Sequence, residues 1–120
     1  MENKPKIYRD ILDKYKFVRE LSEVLTCMPR QGIVDVRYEY WINRNSPWHQ
    51  ETVIVEFRNG VFEVRNVNGD SLSAIFREIG TLLNGGHYDE VELYNDMIAT
   101  GDWEKLDLTN HENYEIEDLF

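Results

Sequence analysis

Cysteine is almost absent from this sequence of 120 residues, which contains only Cys27. A single thiol excludes an internal disulfide and is typical of a reducing compartment. Cys27 lies on an apolar-patterned segment, so we expect a buried, inert thiol. No apolar run reaches the roughly 18 residues of a membrane span, and charges within the first ten positions exclude the pattern of a secretory signal. We therefore predict a cytoplasmic protein with no membrane partner.

The sequence also has few residues that could carry chemistry. The three histidines, His49, His87 and His111, lie far apart, and no pattern of metal ligands surrounds them. No nucleophile elbow or Cys-His pattern is present, and Gly85-Gly86 lacks the spacing and the lysine of a phosphate-binding loop. We therefore predict no catalytic residues, no metal and no cofactor, and hence no enzyme.

Basic residues are scarce in the last part of the chain. Residues 1–86 contain twelve acidic and twelve basic residues, whereas residues 87–120 contain eleven acidic residues and a single lysine, Lys105. The net charge of −10 therefore belongs to the last 34 residues. Because nucleic-acid binders carry basic patches, direct binding of nucleic acid is not expected, and the partner should be basic. A merely solubilising acidic end is the alternative.

The length and the composition indicate one folded domain. The chain is 42% hydrophobic and 12% aromatic, which is too rich in core-forming residues for a disordered chain. We expect a single α+β domain over residues 1–109. Residues 110–120 are interpreted as an acidic tail or a short terminal helix.

Two types of hydrophobic periodicity follow each other along the first half of the chain. Helical spacing over residues 5–28 predicts one long helix, or two short helices broken near residues 14–16. From Val34 to Ile42 the apolar residues alternate with polar ones, which predicts a half-buried strand. Strands near residues 51–58 and 61–67 follow, and Asn59-Gly60 between them predicts a two-residue hairpin turn.

Such a turn fixes which residues lie opposite each other. It places Phe57 opposite Phe62 and Val55 opposite Val64, so that these four residues and Val53 form a core face. Glu56 would then lie opposite Glu63.

Two facing carboxylates repel each other unless a cation lies between them. An internal arginine, Arg37, Arg58 or Arg65, or a cation of a partner could supply that charge. Glu56 and Glu63 are therefore candidate partner-binding residues.

Two helices are expected after the strands. The run Asn68-Gly69-Asp70-Ser71 opens a helix with a capping residue, and Asn84-Gly85-Gly86 ends it. A second helix is predicted to begin with Asp89 as its N-cap, Glu92 as the second half of a capping box, and Leu93 packed onto Tyr88. The expected fold is an N-terminal helix, a three-stranded antiparallel meander and two C-terminal helices (αβββαα), followed by the acidic tail.

The last predicted helix carries a row of carboxylates. Asp89, Glu92 and Asp96 recur at spacings of three and four residues, which places them on one side of a helix, with Glu90 beside them and Asp102 beyond. Capping and the helix dipole account for Asp89 and Glu92, but not for Asp96 or Asp102. A rigid row of this kind resembles a phosphate backbone, so a protein that grips nucleic acid is the expected target.

The run Tyr94-Asn95-Asp96-Met97, preceded by Asp89-Glu90-Val91-Glu92, resembles a family of small acidic anti-CRISPR proteins of Listeria prophages. The resemblance implies a phage- or prophage-encoded inhibitor that acts in a bacterial host cell on a guide-loaded type II-A Cas nuclease. In that family the inhibitor mimics DNA at the site that reads the PAM. Asp89 and Glu90 match two acidic contact residues of the family.

The family also uses an acidic turn between its second and third strands. This sequence has the shorter Arg58-Asn59-Gly60-Val61 there, with Glu56 or Glu63 as possible replacements.

Two other functions fit the same composition. An immunity protein or antitoxin that neutralises a basic nuclease would have the same acidity. The C-terminal residues 115–120 are similar to the acidic, phenylalanine-ended tail of bacterial single-strand DNA-binding proteins, which would make the chain an interaction module.

Overall fold

The computed structural model describes residues 4–28, 32–85 and 90–118, and these residues form an α+β fold. The described part contains three α-helices and six strands, rather than the three strands expected. The helices are α1 (Arg9–Thr26), α2 (Leu72–Leu83) and α3 (Val91–Ala99). The strands are β1 (Lys6–Tyr8), β2 (Ile33–Asn43), β3 (His49–Phe57), β4 (Phe62–Asn66), β5 (Trp103–Lys105) and β6 (Glu115–Glu117).

The N-terminal helix is one unbroken element, and it is preceded by a strand. The interpretation as two helices is wrong, because Lys14 lies within α1 and its ammonium group is buried against a carboxylate of β3. Ile11, Leu12 and Val18 face the core. Near the end of the helix Cys27 is exposed, which corrects the expectation of a buried thiol.

The acidic C-terminal segment returns to the start of the chain. His111–Asn113 forms a 3₁₀ turn, and β6 pairs in parallel with β1, with Ile7 opposite Ile116. Leu108 and Tyr114 are buried in the main core. The segment expected to be a tail or a helix thus contains a short strand, whose three residues are exposed, and it contributes Tyr114 to the core.

The larger sheet has the order β4-β3-β2-β5, and both of its faces are covered. On one face, Val36, Tyr38, Val53 and Val55 pack against α1 and α2. On the other face, a smaller cluster contains Trp41, Ile54, Val64 and Tyr94, the last of which belongs to α3. The alternating pattern predicts a sheet with one buried face, whereas both faces of this sheet are buried.

The hairpin between β3 and β4 has a longer turn and a different register from the predicted ones. Gly60 N–H donates to Phe57 O and Phe57 N–H donates to Val61 O, so three residues form the loop. Gly60 has φ +87°, as expected for a type I turn closed by a glycine bulge. Val55 therefore lies opposite Glu63, and Glu56 lies opposite Phe62.

The shift by one residue divides the predicted core face between the two sides of the sheet. Val53 and Val55 face α1 and α2, whereas Val64 and Phe62 belong to the cluster under α3. None of the described helices combines the length and the apolar character that crossing a membrane requires.

Candidate acidic interaction surface

Helix α3 is held on the sheet by Tyr94, the buried residue of the helix. The Tyr94 ring meets Trp41 edge-on at a centroid distance of 6.1 Å and Phe62 at 6.3 Å. Edge-to-face contacts of this kind add about 0.5–1.5 kcal/mol to the burial of the rings. These contacts therefore hold α3 against the sheet.

The buried carboxylate of Glu39 accepts a hydrogen bond from the hydroxyl group of Tyr94. Glu39 Oε1 accepts hydrogen bonds from Tyr94 Oη at 2.5 Å and from Trp41 Nε1 at 3.1 Å, and Oε2 accepts from Arg37 Nε at 2.9 Å. Burial, and then the bond to Glu39, raises the pKa of Tyr94 well above its ordinary value. The tyrosine hydroxyl therefore remains a donor, and the network ties α3 to β2.

Glu90 anchors the beginning of α3. It occupies the N-cap position, which corrects the prediction that Asp89 would do so; Asp89 lies outside the described residues. Glu90 makes no side-chain cap. Its Oε2 instead accepts from Asn66 N–H at 2.5 Å, and its own N–H donates to Val64 O at 3.0 Å. Glu90 is therefore a docking residue between α3 and the edge strand β4.

Glu92 and Asp96 are the exposed carboxylates of α3. They lie one helical turn apart, on neighbouring positions of one side of the helix. Within residues 4–28, 32–85 and 90–118, neither side chain has an ion pair or a hydrogen bond. Both negative charges are therefore available to a partner.

Asp102 lies just beyond α3, next to the loop that joins β2 to β3. Asp102 Oδ1 accepts from Asn45 Nδ2 at 3.0 Å, and Asp102 O accepts from Arg44 N–H at 2.8 Å. Arg44 also approaches Glu104 at 3.8 Å. This end of the acidic surface is therefore partly neutralised by the protein itself.

Glu56 and Glu63 do not form a pair. Glu56 lies on the α3 side of the sheet, where its Oε1 is 3.3 Å from Arg37 Nη1. Of the three candidate arginines, Arg37 thus pairs with Glu56, and the same guanidinium also contacts Asp35 and Glu39. Glu63 lies on the other side, opposite Val55 and half-buried. The structure brings Glu90, Glu92 and Asp96 together on α3, with Asp102 nearby, but it does not join the two hairpin carboxylates to them.

Sequence reasoning missed the two buried acids, Glu39 and Glu51. Glu51 Oε1 accepts from Lys14 Nζ and from Tyr38 Oη, each at 2.7 Å. An alternating pattern suggests that acidic residues of a strand lie on an exposed face. Both faces of this sheet are covered, so Glu39 and Glu51 are buried instead. Trp41 was the available signal, since a tryptophan among supposedly exposed positions indicates a second buried face.

Comparison of the chain with profiles of protein families, with curated protein sequences and with solved structures found no match. In the described ranges, no group of three or more histidine, cysteine or carboxylate side chains could hold a metal ion. The functional argument therefore rests on the charge and geometry of the surface around α3.

Proposed function

We propose that this protein is an inhibitor that presents carboxylates to the nucleic-acid-binding surface of a basic nuclease. The observation that carries the proposal is the exposed pair Glu92 and Asp96, which have no internal cation within the described residues. Their helix is rigidly held by Tyr94 and Glu90. A fixed pair of this kind can meet arginines or lysines without first ordering a loop.

The energetics favour a partner that desolvates this pair. Exposed charge pairs contribute only about 0–1 kcal/mol each, because water and salt screen them. When a partner covers them, removing one member of a charge pair can cost about 2–5 kcal/mol. Specific inhibition therefore requires that α3 itself lies within the interface.

The nuclease that we propose as the target is a guide-loaded type II Cas effector. The resemblance of residues 89–97 to an anti-CRISPR family supports this choice. Such effectors read the PAM with arginines next to a basic channel, which is a suitable surface for a DNA mimic. A basic nuclease toxin is the second candidate, and the same assay with such a toxin tests it.

The test is DNA cleavage by a guide-loaded type II nuclease. The wild-type protein should block cleavage when added before target DNA and should fail when added afterwards, because both ligands need the same site. The variant Glu92→Lys with Asp96→Lys should inhibit at least about 100-fold more weakly. We choose these two positions because changing Glu90 would also break its bond to Asn66.

A matched control is Glu20→Lys with Glu23→Lys. Both residues are exposed on α1, which packs on the opposite face of the sheet. This control changes the net charge by the same amount and should inhibit like the wild type. If both variants fold by circular dichroism and lose inhibition equally, net charge rather than α3 determines binding. A wild type that inhibits no type II nuclease would eliminate the Cas proposal.

A further inference from the structure

A cavity of about 270 Å³ lies between α3 and the sheet. Its apolar wall includes Val64, Leu93 and Met97, and two aromatic rings, those of Tyr94 and Trp103, line it as well. Leu93 is 68% exposed, so the cavity is open to solvent on that side. Small-molecule sites commonly have volumes of about 300–1,000 Å³, so this cavity suits a small ligand.

One residue that lines the cavity has a polar group without a partner among the described residues. Thr52 lies on β3, on the same face of the sheet as Ile54, and lines the cavity. The residue is 5% exposed, and its Oγ1 makes no hydrogen bond within the described part of the chain. Buried hydroxyl groups are normally paired, so this one marks a place where a ligand atom can bond.

Among the described residues, the charged ones that line the cavity are acidic. They are Glu90 and Asp96, and none of the described lining residues is a lysine or an arginine. Asp96 has no cation among the described residues, and Glu90 keeps acceptor capacity because a carboxylate offers about four acceptor sites. The cavity therefore combines apolar walls, aromatic rings, acceptor oxygens and negative charge.

We propose that this cavity binds a guanidinium group carried on a short apolar stem. A guanidinium offers five N–H donors in a plane, enough for a carboxylate and the Thr52 hydroxyl together. It stacks on aromatic faces and is more weakly hydrated than an ammonium group. The apolar stem would lie against Leu93 and Met97. This inference does not depend on nuclease inhibition.

The test uses isotope-labelled protein of all 120 residues and NMR titration with n-butylguanidinium at about 0.15 M salt, where distant charges are screened. Saturable shifts are expected at Leu93, Thr100 and Trp103. The matched neutral probe is n-butylurea, which has nearly the same shape and should bind at least about tenfold more weakly. Equal binding of the two probes would overturn the proposal, since it would show an apolar groove with no charge preference.

Variants test the contributions of the Thr52 hydroxyl and the Asp96 carboxylate separately. Thr52→Val removes the unpaired hydroxyl while keeping the shape, so it should leave the protein at least as stable and weaken binding by about tenfold. Asp96→Asn should weaken binding about two- to fivefold. Glu20→Gln, which removes the same charge from α1 on the opposite face of the sheet, should leave affinity unchanged. If Glu20→Gln weakens binding as much as Asp96→Asn, the attraction is non-specific and the site is wrong.

The guanidinium group could belong to a small molecule or to an arginine side chain of a polypeptide. Titration with a capped arginine amide distinguishes these two sources. If it shifts the same residues as n-butylguanidinium, the site also accepts an arginine side chain of a polypeptide. If only the free probe binds, the ligand is a small molecule. Either outcome supports a guanidinium site, and the nuclease assay can succeed or fail independently of both.

Discussion

Two buried carboxylates stabilise opposite faces of the sheet, and their cations differ in exposure. The Lys14 side chain, which pairs with Glu51, is 3% exposed, whereas that of Arg37, which pairs with Glu39, is 33% exposed. Burial, and then the charge of Glu51, raises the pKa of Tyr38 far above its ordinary value, so its hydroxyl remains a donor to Glu51. The charges of Lys14 and Glu51 are both buried, so each needs the other more than Arg37 and Glu39 do.

Glu51→Gln should destabilise the protein by about 3 kcal/mol, because it leaves the Lys14 charge buried with only the exposed Asp10 nearby. The measurement is urea unfolding at neutral pH. The double variant Lys14→Met with Glu51→Gln should recover most of that loss, since no buried charge remains. If the double variant were as unstable as Glu51→Gln alone, the lost hydrogen bonds rather than the orphaned charge would explain the effect.

At the scale of elements, the two ends of the described chain stabilise each other. The parallel pair β1–β6 brings Tyr114 to the core, where the residue is 3% exposed and its hydroxyl donates to Leu108 O at 2.9 Å. The outer contact is the pair of Arg9 and Asp118, with both side chains mostly exposed. The inner contact should therefore determine the stability of this region.

Tyr114→Ala should lower the free energy of unfolding by about 3–5 kcal/mol, as expected when a large aromatic side chain is removed from a core. Asp118→Asn should cause no measurable change, because the ion pair that it breaks lies in solvent. Thermal unfolding of both variants provides the measurement. A Tyr114→Ala variant as stable as the wild type would mean that the segment after residue 110 is the detachable tail that its acidity suggests.

How far the sequence predicts the elements depends on how local their signals are. The helical spacing of α1, the caps of α2 and the positions of β2, β3 and β4 are local features, and the structure contains these elements. The turn at Asn59-Gly60 fits both a two-residue and a three-residue loop, so the register could not be fixed from that dipeptide. The β1–β6 pair joins residues that are distant in sequence, and three-residue strands carry no periodicity.

The sequence predicts only part of the candidate surface, because some of its contacts join residues that are distant in the chain. Exposed positions on a helix follow from spacing, which identified Glu92 and Asp96. The docking role of Glu90 depends on the backbone of Asn66, and the ion pair of Glu56 depends on Arg37 from another strand. Contacts of this kind arise from tertiary structure and leave no pattern in the sequence.

For the whole molecule, the acidic last part of the chain lies in two places. Helix α3 and strand β5 cover one region, where Tyr94 and Trp103 pack in the same cluster and β5 pairs with β2. The segment after β5 returns to the start of the chain, where β6 pairs with β1. Because Glu92 and Asp96 are exposed on α3, we expect a basic partner to approach from the side of α3.

This arrangement predicts that binding of a basic partner depends strongly on salt. The affinity should fall steadily as the salt concentration rises from about 0.1 to about 0.5 M, because the Debye length shortens from about 10 Å to less than half of that. The Glu92→Lys, Asp96→Lys variant should show both weaker binding and a shallower salt dependence, since fewer charge pairs remain to be screened. Titration calorimetry with the guide-loaded nuclease at several salt concentrations measures both quantities. The Glu20→Lys, Glu23→Lys control should keep most of the wild-type slope, because its charges lie on the far side of the sheet. An affinity that does not change with salt would show that apolar contacts hold the complex and that the carboxylates of α3 are not its basis.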